Sequence, residues 1–197
     1  MNAVIKIVCV YTTDKCFSDF LNRPQLTERD IIAADKFKQP ADKTLRIASA
    51  YLKRKYVGEW TVEKNGKPVC DNGFFNVSHT DGLVVIALGD KPLGVDAEKI
   101  RPIDEKLKRY VCSDEEYLKA MDDERFFTVW TLKESLVKAE GEGLTDVKSI
   151  PSFGENGIKL WKGEIYRSKT VLFGGYALSV TVKGDQPFEV QVVNDDF

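Results

Sequence analysis

Histidine, methionine and long apolar runs are scarce in this sequence. Its 197 residues include one histidine and two methionines, and the longest uninterrupted apolar run extends only from Leu83 to Leu88. A membrane helix needs roughly 20 consecutive apolar residues, so we expect no membrane-spanning segment. The first ten residues carry a lysine within their apolar stretch and lack a signal-peptide cleavage site, which predicts a strand and a cytoplasmic protein.

The sequence also lacks the cysteine spacing of a disulfide framework or a zinc site. Its four cysteines, Cys9, Cys16, Cys70 and Cys112, contain no C-x-x-C pair. A structural zinc site needs clustered cysteine and histidine ligands, and the single histidine is His79. A chain of this length can build a core without disulfides, so we expect reduced thiols in or near the core.

No charge of one sign predominates. The chain has 29 lysines and arginines against 31 aspartates and glutamates, a net charge of −2. The basic footprint of a nucleic-acid-binding protein is therefore missing, and we expect no nucleic-acid partner. With 43% hydrophobic residues the chain can bury a core, which argues against wholesale disorder.

Strand-rich and helix-rich segments alternate twice along the chain, which predicts an α+β fold of two similar halves packed together. We expect strands over 4–11, 74–79, 83–88, 93–98, 158–166, 176–182 and 188–193, and helices over 42–56 and 123–140, with helix starts at Thr27 and Ser113. The single soft seam, at Arg101-Pro102, divides the chain into an amino-terminal half, 1–102, and a carboxy-terminal half, 103–197.

Two segments with acidic residues suggest a site for a cation. Asp96 and Glu98 are two apart in a predicted strand and share a face, where they repel each other unless one is protonated or a cation lies between them. A solvated sheet edge is the alternative. Glu134 and Lys138 are four apart on a predicted helix. They either form a surface pair that contributes about 0.3–0.5 kcal/mol, or Glu134 lies at the edge of the core, where its carboxylate needs a partner.

The candidate phosphate-binding residues are Arg46, Lys67, His79, Lys133 and Lys138. Each alternatively serves as a solvated surface charge, and His79 as a hydrogen-bonded turn residue. Three carboxylates, Asp96, Glu98 and Glu134, would suit Mg²⁺, and neighbouring lysines would neutralise a diphosphate, which is typical of phosphoryl-group transfer. No glycine-rich nucleotide loop or kinase signature is present, so a nucleotide must be held in another way.

Three segments in this order resemble the signatures of the 4′-phosphopantetheinyl transferase superfamily, in its longer, surfactin-synthetase-activating type. The segments are Phe75-Asn76-Val77-Ser78-His79-Thr80, Leu93-Gly94-Val95-Asp96-Ala97-Glu98, and residues 127–143 with Trp130-Thr131-Leu132-Lys133-Glu134-Ser135-Leu136-Val137-Lys138 at their centre. The resemblance covers about 66–143. One departure is Ala97, where the family often has a bulky aliphatic residue; its side chain is expected to point away from the carboxylates.

The resemblance implies a monomeric, pseudo-two-fold α+β fold with coenzyme A in the cleft between its halves. It also implies Mg²⁺-dependent transfer of 4′-phosphopantetheine to a serine hydroxyl of an apo acyl or peptidyl carrier protein, with release of adenosine 3′,5′-bisphosphate. Two alternatives stay open: a non-catalytic relative that binds coenzyme A or a carrier protein, and a Mg²⁺-dependent phosphoesterase.

By position, the resemblance also assigns individual residues. Asp96, Glu98 and Glu134 would bind Mg²⁺; Lys133 and Lys138 would neutralise the diphosphate; His79 and Arg46 would hold the 3′-phosphate; Lys67 and Ser78 would lie along the adenine and ribose. Glu116 would be the general base, with a metal-bound water as the alternative base and Glu115 as the alternative register. A capping box with Ser113 is the structural alternative for Glu116.

Overall fold

The computed structural model describes residues 3–62, 68–71, 73–119, 122–141, 147–150 and 157–195. In chain order its strands are β1 (Ala3–Tyr11), β2 (Thr61–Val62), β3 (Pro68–Val69), β4 (Phe74–Thr80), β5 (Leu83–Gly89), β6 (Leu93–Lys99), β7 (Ile158–Trp161), β8 (Glu164–Phe173), β9 (Tyr176–Lys183) and β10 (Phe188–Asn194). Its helices are α1 (Glu28–Asp35), α2 (Pro40–Tyr56), α3 (Glu105–Val111), α4 (Asp114–Lys119) and α5 (Asp123–Glu140).

Local signals set the helix ends. The Thr27 hydroxyl caps α1 by accepting a hydrogen bond from the Asp30 amide, as the sequence predicts. Helix α5 spans the predicted residues and ends where Gly141 adopts a left-handed conformation with φ 87°, which a glycine tolerates without steric cost.

The strands form two four-stranded sheets, in the orders β10-β1-β5-β4 and β6-β9-β8-β7. Period-2 alternation sends Ile5 and Ile7 of β1 to one face and Val8 and Val10 to the other. The first face joins Val95 and its neighbours in a core shared by the two sheets. Helix α2 covers the outer face of the first sheet, and α5 packs on β6 and β9 of the second. The expected α+β fold is confirmed.

The connectivity contains a topological repeat. In β1-α2-β4-β5 and again in β6-α5-β8-β9, a strand and a helix precede a hairpin, and the last strand pairs antiparallel with the first. The sheets do not follow a boundary at residue 102, however. Strand β6 precedes that boundary but lies in the second sheet, and β10 returns from the chain's end to pair parallel with β1.

The structure bears on the state of the cysteines and on the presence of membrane-spanning helices. All four cysteines are free thiols, with Cys9 and Cys112 buried, Cys70 partly buried and Cys16 exposed. Within the described ranges, no helix is both long and apolar enough to cross a bilayer.

Candidate active site

The site lies where α5 crosses β6, and Gly94 permits that crossing. A Cβ atom at residue 94 would overlap the carbonyl oxygen of Ser135 and the amide nitrogen of Ala139, both in the backbone of α5. Any side chain at this position would therefore push the helix away from the strand. The close approach brings one face of α5, including Glu134 and Lys138, over the polar face of β6.

That polar face carries Asp96 and Glu98, while Val95 and Ala97 point into the shared core, as the alternation predicts. Asp96 is only 5% exposed. Burial, with the charge of Asp96, raises the pKa of Glu98. Burial together with the charges of Asp96 and Glu98 raises the pKa of Glu134 to about 7. The three carboxylates therefore interact electrostatically, as a site for a cation requires.

Lys138 forms an ion pair with Asp96. Its Nζ lies 2.7 Å from Asp96 Oδ1 and 3.2 Å from both Ser78 Oγ and the Val95 carbonyl oxygen. An ammonium has three donors, and these three acceptors use all of them. Burial raises the pKa of Asp96, and the Lys138 charge opposes that increase.

The carboxylate oxygens that Lys138 does not contact are suited to a divalent cation. Asp96 Oδ2 is buried and has no hydrogen-bond partner among the described residues, and an orphaned buried carboxylate oxygen is an uncompensated cost. Glu98 and Glu134 supply further hard oxygen donors of the kind Mg²⁺ prefers. As positioned, however, the side chains of the described residues do not form a ready group of three metal ligands. The expected convergence of the three carboxylates on Mg²⁺ thus stays a prediction.

The two residues expected at the 3′-phosphate lie on neighbouring elements. His79 is exposed on the face of β4 that also carries Phe75 and Val77 toward α2, and Arg46 is exposed on α2. Desolvation of the imidazole by neighbouring protein atoms, followed by the charges of Lys138 and Arg46, lowers the pKa of His79. Arg46 and Lys138 therefore place positive charge near this ring.

Lys133 and Glu116 pair with each other. The Lys133 Nζ lies 2.7 Å from Glu116 Oε2 and also donates to the carbonyl oxygens of Val111 and Val147. Lys133 is 1% exposed and Glu116 5% exposed. A phosphate could contact Lys133 only by replacing one of these partners.

Glu116 also forms the predicted capping box, because its Oε2 accepts from the Ser113 amide at 2.8 Å while its own amide donates to Ser113 Oγ. Its neighbour Glu115 is exposed and pairs with Lys119. Of the two acidic residues, only Glu116 contacts α5 through Lys133. Lys67 lies outside the described residues.

Sequence reasoning missed the connection between β4 and β6, since it named Ser78 only for the adenine and ribose and did not single out Asn76 or Thr80. The Asn76 side-chain oxygen accepts from the Val95 amide, Ser78 Oγ from the Ala97 amide and Thr80 Oγ1 from the Lys99 amide, at 3.0–3.2 Å. Polar residues at every second position of a strand, buried beside Phe75 and Val77, were the available signal. Arg101 was also missed; it donates to Glu98 Oε2 and lies over the Phe127 ring.

Residues 92–181, just under half of the chain, match the model of the 4′-phosphopantetheinyl transferase superfamily. Three curated relatives carry that enzyme name. The transferase gsp of Aneurinibacillus migulanus is 41% identical over 86 residues, 40% of this chain and 36% of the relative. The transferase psf-1 of Bacillus pumilus is 33% identical over 132 residues, 57% of each chain. The transferase Sfp of Bacillus subtilis strain 168 is 36% identical over 95 residues, 44% of this chain and 42% of the relative.

The matched region thus spans 36–57% of these relatives' own length. Residues 92–181, which the family model matches, include Asp96, Glu98, Glu116, Lys133, Glu134 and Lys138 but not Arg46, Ser78 or His79. The order of the signatures, the repeated α+β topology and the matched family model agree. Over residues 92–181 the chain is therefore similar to the 4′-phosphopantetheinyl transferase superfamily.

Proposed function

We propose that this protein transfers 4′-phosphopantetheine from coenzyme A to a serine hydroxyl of an apo acyl or peptidyl carrier protein and releases adenosine 3′,5′-bisphosphate. The observation that carries the proposal is the cluster of Asp96, Glu98, Glu134 and Lys138 between β6 and α5. Its three carboxylates lie within the region that matches the family model. We further propose that the protein acts as a cytoplasmic monomer whose two halves divide in sequence near residue 102, with β6 and β10 each lying in the sheet of the opposite half.

Asp96, Glu98 and Glu134 would hold Mg²⁺, which when bound supplies positive charge to a diphosphate. Asp96 Oδ2 is the oxygen best prepared for that role, because it is buried and lacks a partner among the described residues. Lys138 would move from Asp96 Oδ1 to a phosphate oxygen once another cation neutralises Asp96. Positioning and charge neutralisation of this kind together provide most of the catalysis in phosphoryl transfer.

His79 and Arg46 would bind the 3′-phosphate of coenzyme A. The pKa of His79 is lowered by desolvation and by two neighbouring positive charges, so a dianionic phosphate would relieve the repulsion among them. An arginine offers a planar fork of donors that matches phosphate oxygens. Lys67 and Ser78 are proposed along the adenine and ribose, although the Ser78 hydroxyl is already bonded to Asp96, Ala97 and Lys138.

Glu116 is the proposed general base, and Lys133 orients it. In the transfer step, the carrier serine oxygen bonds to the β-phosphorus while its proton moves to the carboxylate. The bond from that phosphorus to the bridging oxygen breaks, and its electron pair leaves with adenosine 3′,5′-bisphosphate. No covalent enzyme intermediate is needed, since the leaving group is a phosphate whose charge the site neutralises.

The test is to incubate the protein with coenzyme A, Mg²⁺ and a panel of apo carrier domains from fatty-acid, polyketide, peptide-synthetase and aminoadipate-type systems. A gain of one phosphopantetheine mass on a carrier, measured by intact mass spectrometry, supports transfer. Nucleotide release with every carrier unmodified would indicate a phosphoesterase. Binding of coenzyme A or a carrier without either product would indicate a non-catalytic relative.

A further inference from the structure

Three polar side chains on β4 take the place of a neighbouring strand along the edge of β6. Strand β6 pairs with β9 on one side, and on its other side the amides of Val95, Ala97 and Lys99 donate to Asn76, Ser78 and Thr80 in turn. Each acceptor lies 19 positions before its donor. An edge amide that is buried without a partner is costly, so this ladder stabilises the junction between the sheets.

The hydroxyls of Ser78 and Thr80 donate hydrogen bonds as well as accept them. Ser78 Oγ accepts from the Ala97 amide and donates to Asp96 Oδ1 at 2.9 Å. Thr80 Oγ1 accepts from the Lys99 amide and donates to Glu98 Oε2 at 3.1 Å. In both cases a hydroxyl fixed by one backbone amide binds the carboxylate of the preceding residue.

The orientation of these bonds is well determined at Ser78. A hydroxyl has one donor and two acceptor sites, and Ser78 Oγ uses all three, with Asp96, the Ala97 amide and Lys138 as partners. Its proton therefore points at Asp96 Oδ1, which leaves Oδ2 of the same carboxylate as the oxygen without a partner among the described residues. Ser78 is 4% exposed, so water does not compete for these sites.

From this repeated geometry we infer that Ser78 and Thr80 are positioning residues, which hold Asp96 and Glu98 across the sheet junction with one oxygen of Asp96 turned toward a divalent cation. The inference rests on the proposed function for the identity of that cation. Side chains that hydrogen-bond to metal ligands fix their orientation, and their loss typically weakens metal binding by about 10–100-fold.

The chain offers a matched set of variants. Ser78→Ala and Thr80→Val each remove an acceptor for a β6 amide and a donor to a carboxylate. Asn76→Ala removes an acceptor for a β6 amide, but the Asn76 bond in the ladder reaches no carboxylate. Thr80→Ser retains the hydroxyl. A purely structural role predicts equal effects for Asn76→Ala and Thr80→Val, whereas a positioning role separates them.

The experiment titrates each full-length variant with Mn²⁺ alone, without coenzyme A, and measures free Mn²⁺ by electron paramagnetic resonance. We expect the Kd for Mn²⁺ to rise at least about tenfold in Ser78→Ala and Thr80→Val. We expect Asn76→Ala and Thr80→Ser to retain the wild-type Kd, even where Asn76→Ala lowers Tm. Equal Mn²⁺ affinity in Thr80→Val and Asn76→Ala would overturn the inference.

Turnover provides the second readout and separates this inference from the proposed function. In the positioning role, Thr80→Val needs more Mg²⁺ for half-maximal transfer but approaches the wild-type rate at saturation. If the wild-type protein transfers phosphopantetheine but all variants bind Mn²⁺ with the same Kd, only the positioning role is contradicted. If the Kd values for Mn²⁺ differ among the variants as expected but the wild-type protein modifies no carrier, only the proposed function is contradicted.

Discussion

Lys133 and Glu116 form an ion pair, with 2.7 Å between Nζ and Oε2, that joins α4 to α5 inside the protein. Both side chains are almost completely buried, so removing one charge leaves the other without compensation. We expect Lys133→Met to lower the free energy of unfolding by about 3–5 kcal/mol. Urea denaturation followed by circular dichroism measures this change.

The double variant Lys133→Met/Glu116→Gln is the control for that prediction. It removes both charges and keeps an amide oxygen that can accept from the Ser113 amide, so most of the lost stability should return. If the double variant is as unstable as the sum of the two single variants, the buried pair is not coupled.

The raised pKa of Glu134 predicts a pH-dependent stability. Its pKa is about 7 in the folded protein, against the ordinary value of 4.5 for a glutamate. The folded state therefore binds this proton more tightly, and the resulting stabilisation is complete below pH 4.5 and is lost as the pH rises through about 7. Glu134→Gln does not titrate, so without Mg²⁺ it should gain stability relative to the wild type over this range.

Urea denaturation of both proteins at about pH 4.5 and about pH 8 measures that difference. Added Mg²⁺ should reverse the trend for the wild type, because a bound cation favours the charged carboxylate. A difference in unfolding free energy that does not change with pH would place Glu134 in solvent.

Asp96→Asn should abolish transfer while the protein stays folded. The amide retains the volume of the side chain and can still accept from Ser78, but it supplies no negative charge to a cation. Transfer is measured by carrier mass, and folding by Tm and circular dichroism. Turnover at the wild-type rate in this variant and in Glu134→Ala at low Mg²⁺ would contradict the proposed site.

Lys138→Ala should weaken coenzyme A binding. Hydrogen bonds to charged groups contribute about 1.5–3 kcal/mol, so the loss of one phosphate contact corresponds to an increase of at least roughly tenfold in Kd. Calorimetry with coenzyme A measures this, and Lys148→Ala, which removes an exposed lysine on the α4 side, is the control. Unchanged affinity in Lys138→Ala would leave Lys138 as a partner of Asp96 alone.

Gly94→Ala should separate α5 from β6, because the added Cβ meets helix backbone that has no rotamer to adopt. Overpacking of this kind costs about 1–3 kcal/mol or more, and Mn²⁺ binding should weaken with it because Glu134 moves. Gly163→Ala is the comparison, since its Cβ meets no atom within 4 Å and only the positive φ is strained. Equal effects of the two substitutions would show that the close approach is unimportant.

Much of the fold was predictable because its signals are local. The capping residues at Thr27 and Ser113 and the glycine at 141 define helix ends through neighbouring backbone groups, and α5 matches its predicted range. Alternation likewise predicted that Asp96 and Glu98 share a face. The strand expected over 158–166 is instead two strands joined at Lys162-Gly163, where both residues have positive φ.

The sequence by itself thus determined most of the elements, the pairing of carboxylates on one strand face and, through its ordered motifs, the resemblance to the superfamily. Only the tertiary structure decided that Lys133 pairs with Glu116, that Lys138 lies on Asp96 and that the β4 hydroxyls bind the β6 carboxylates. The physical reason is the range of the interactions. Caps and periodicity act within a few residues, whereas these contacts join residues 17–42 positions apart and depend on how α5 and the two sheets pack.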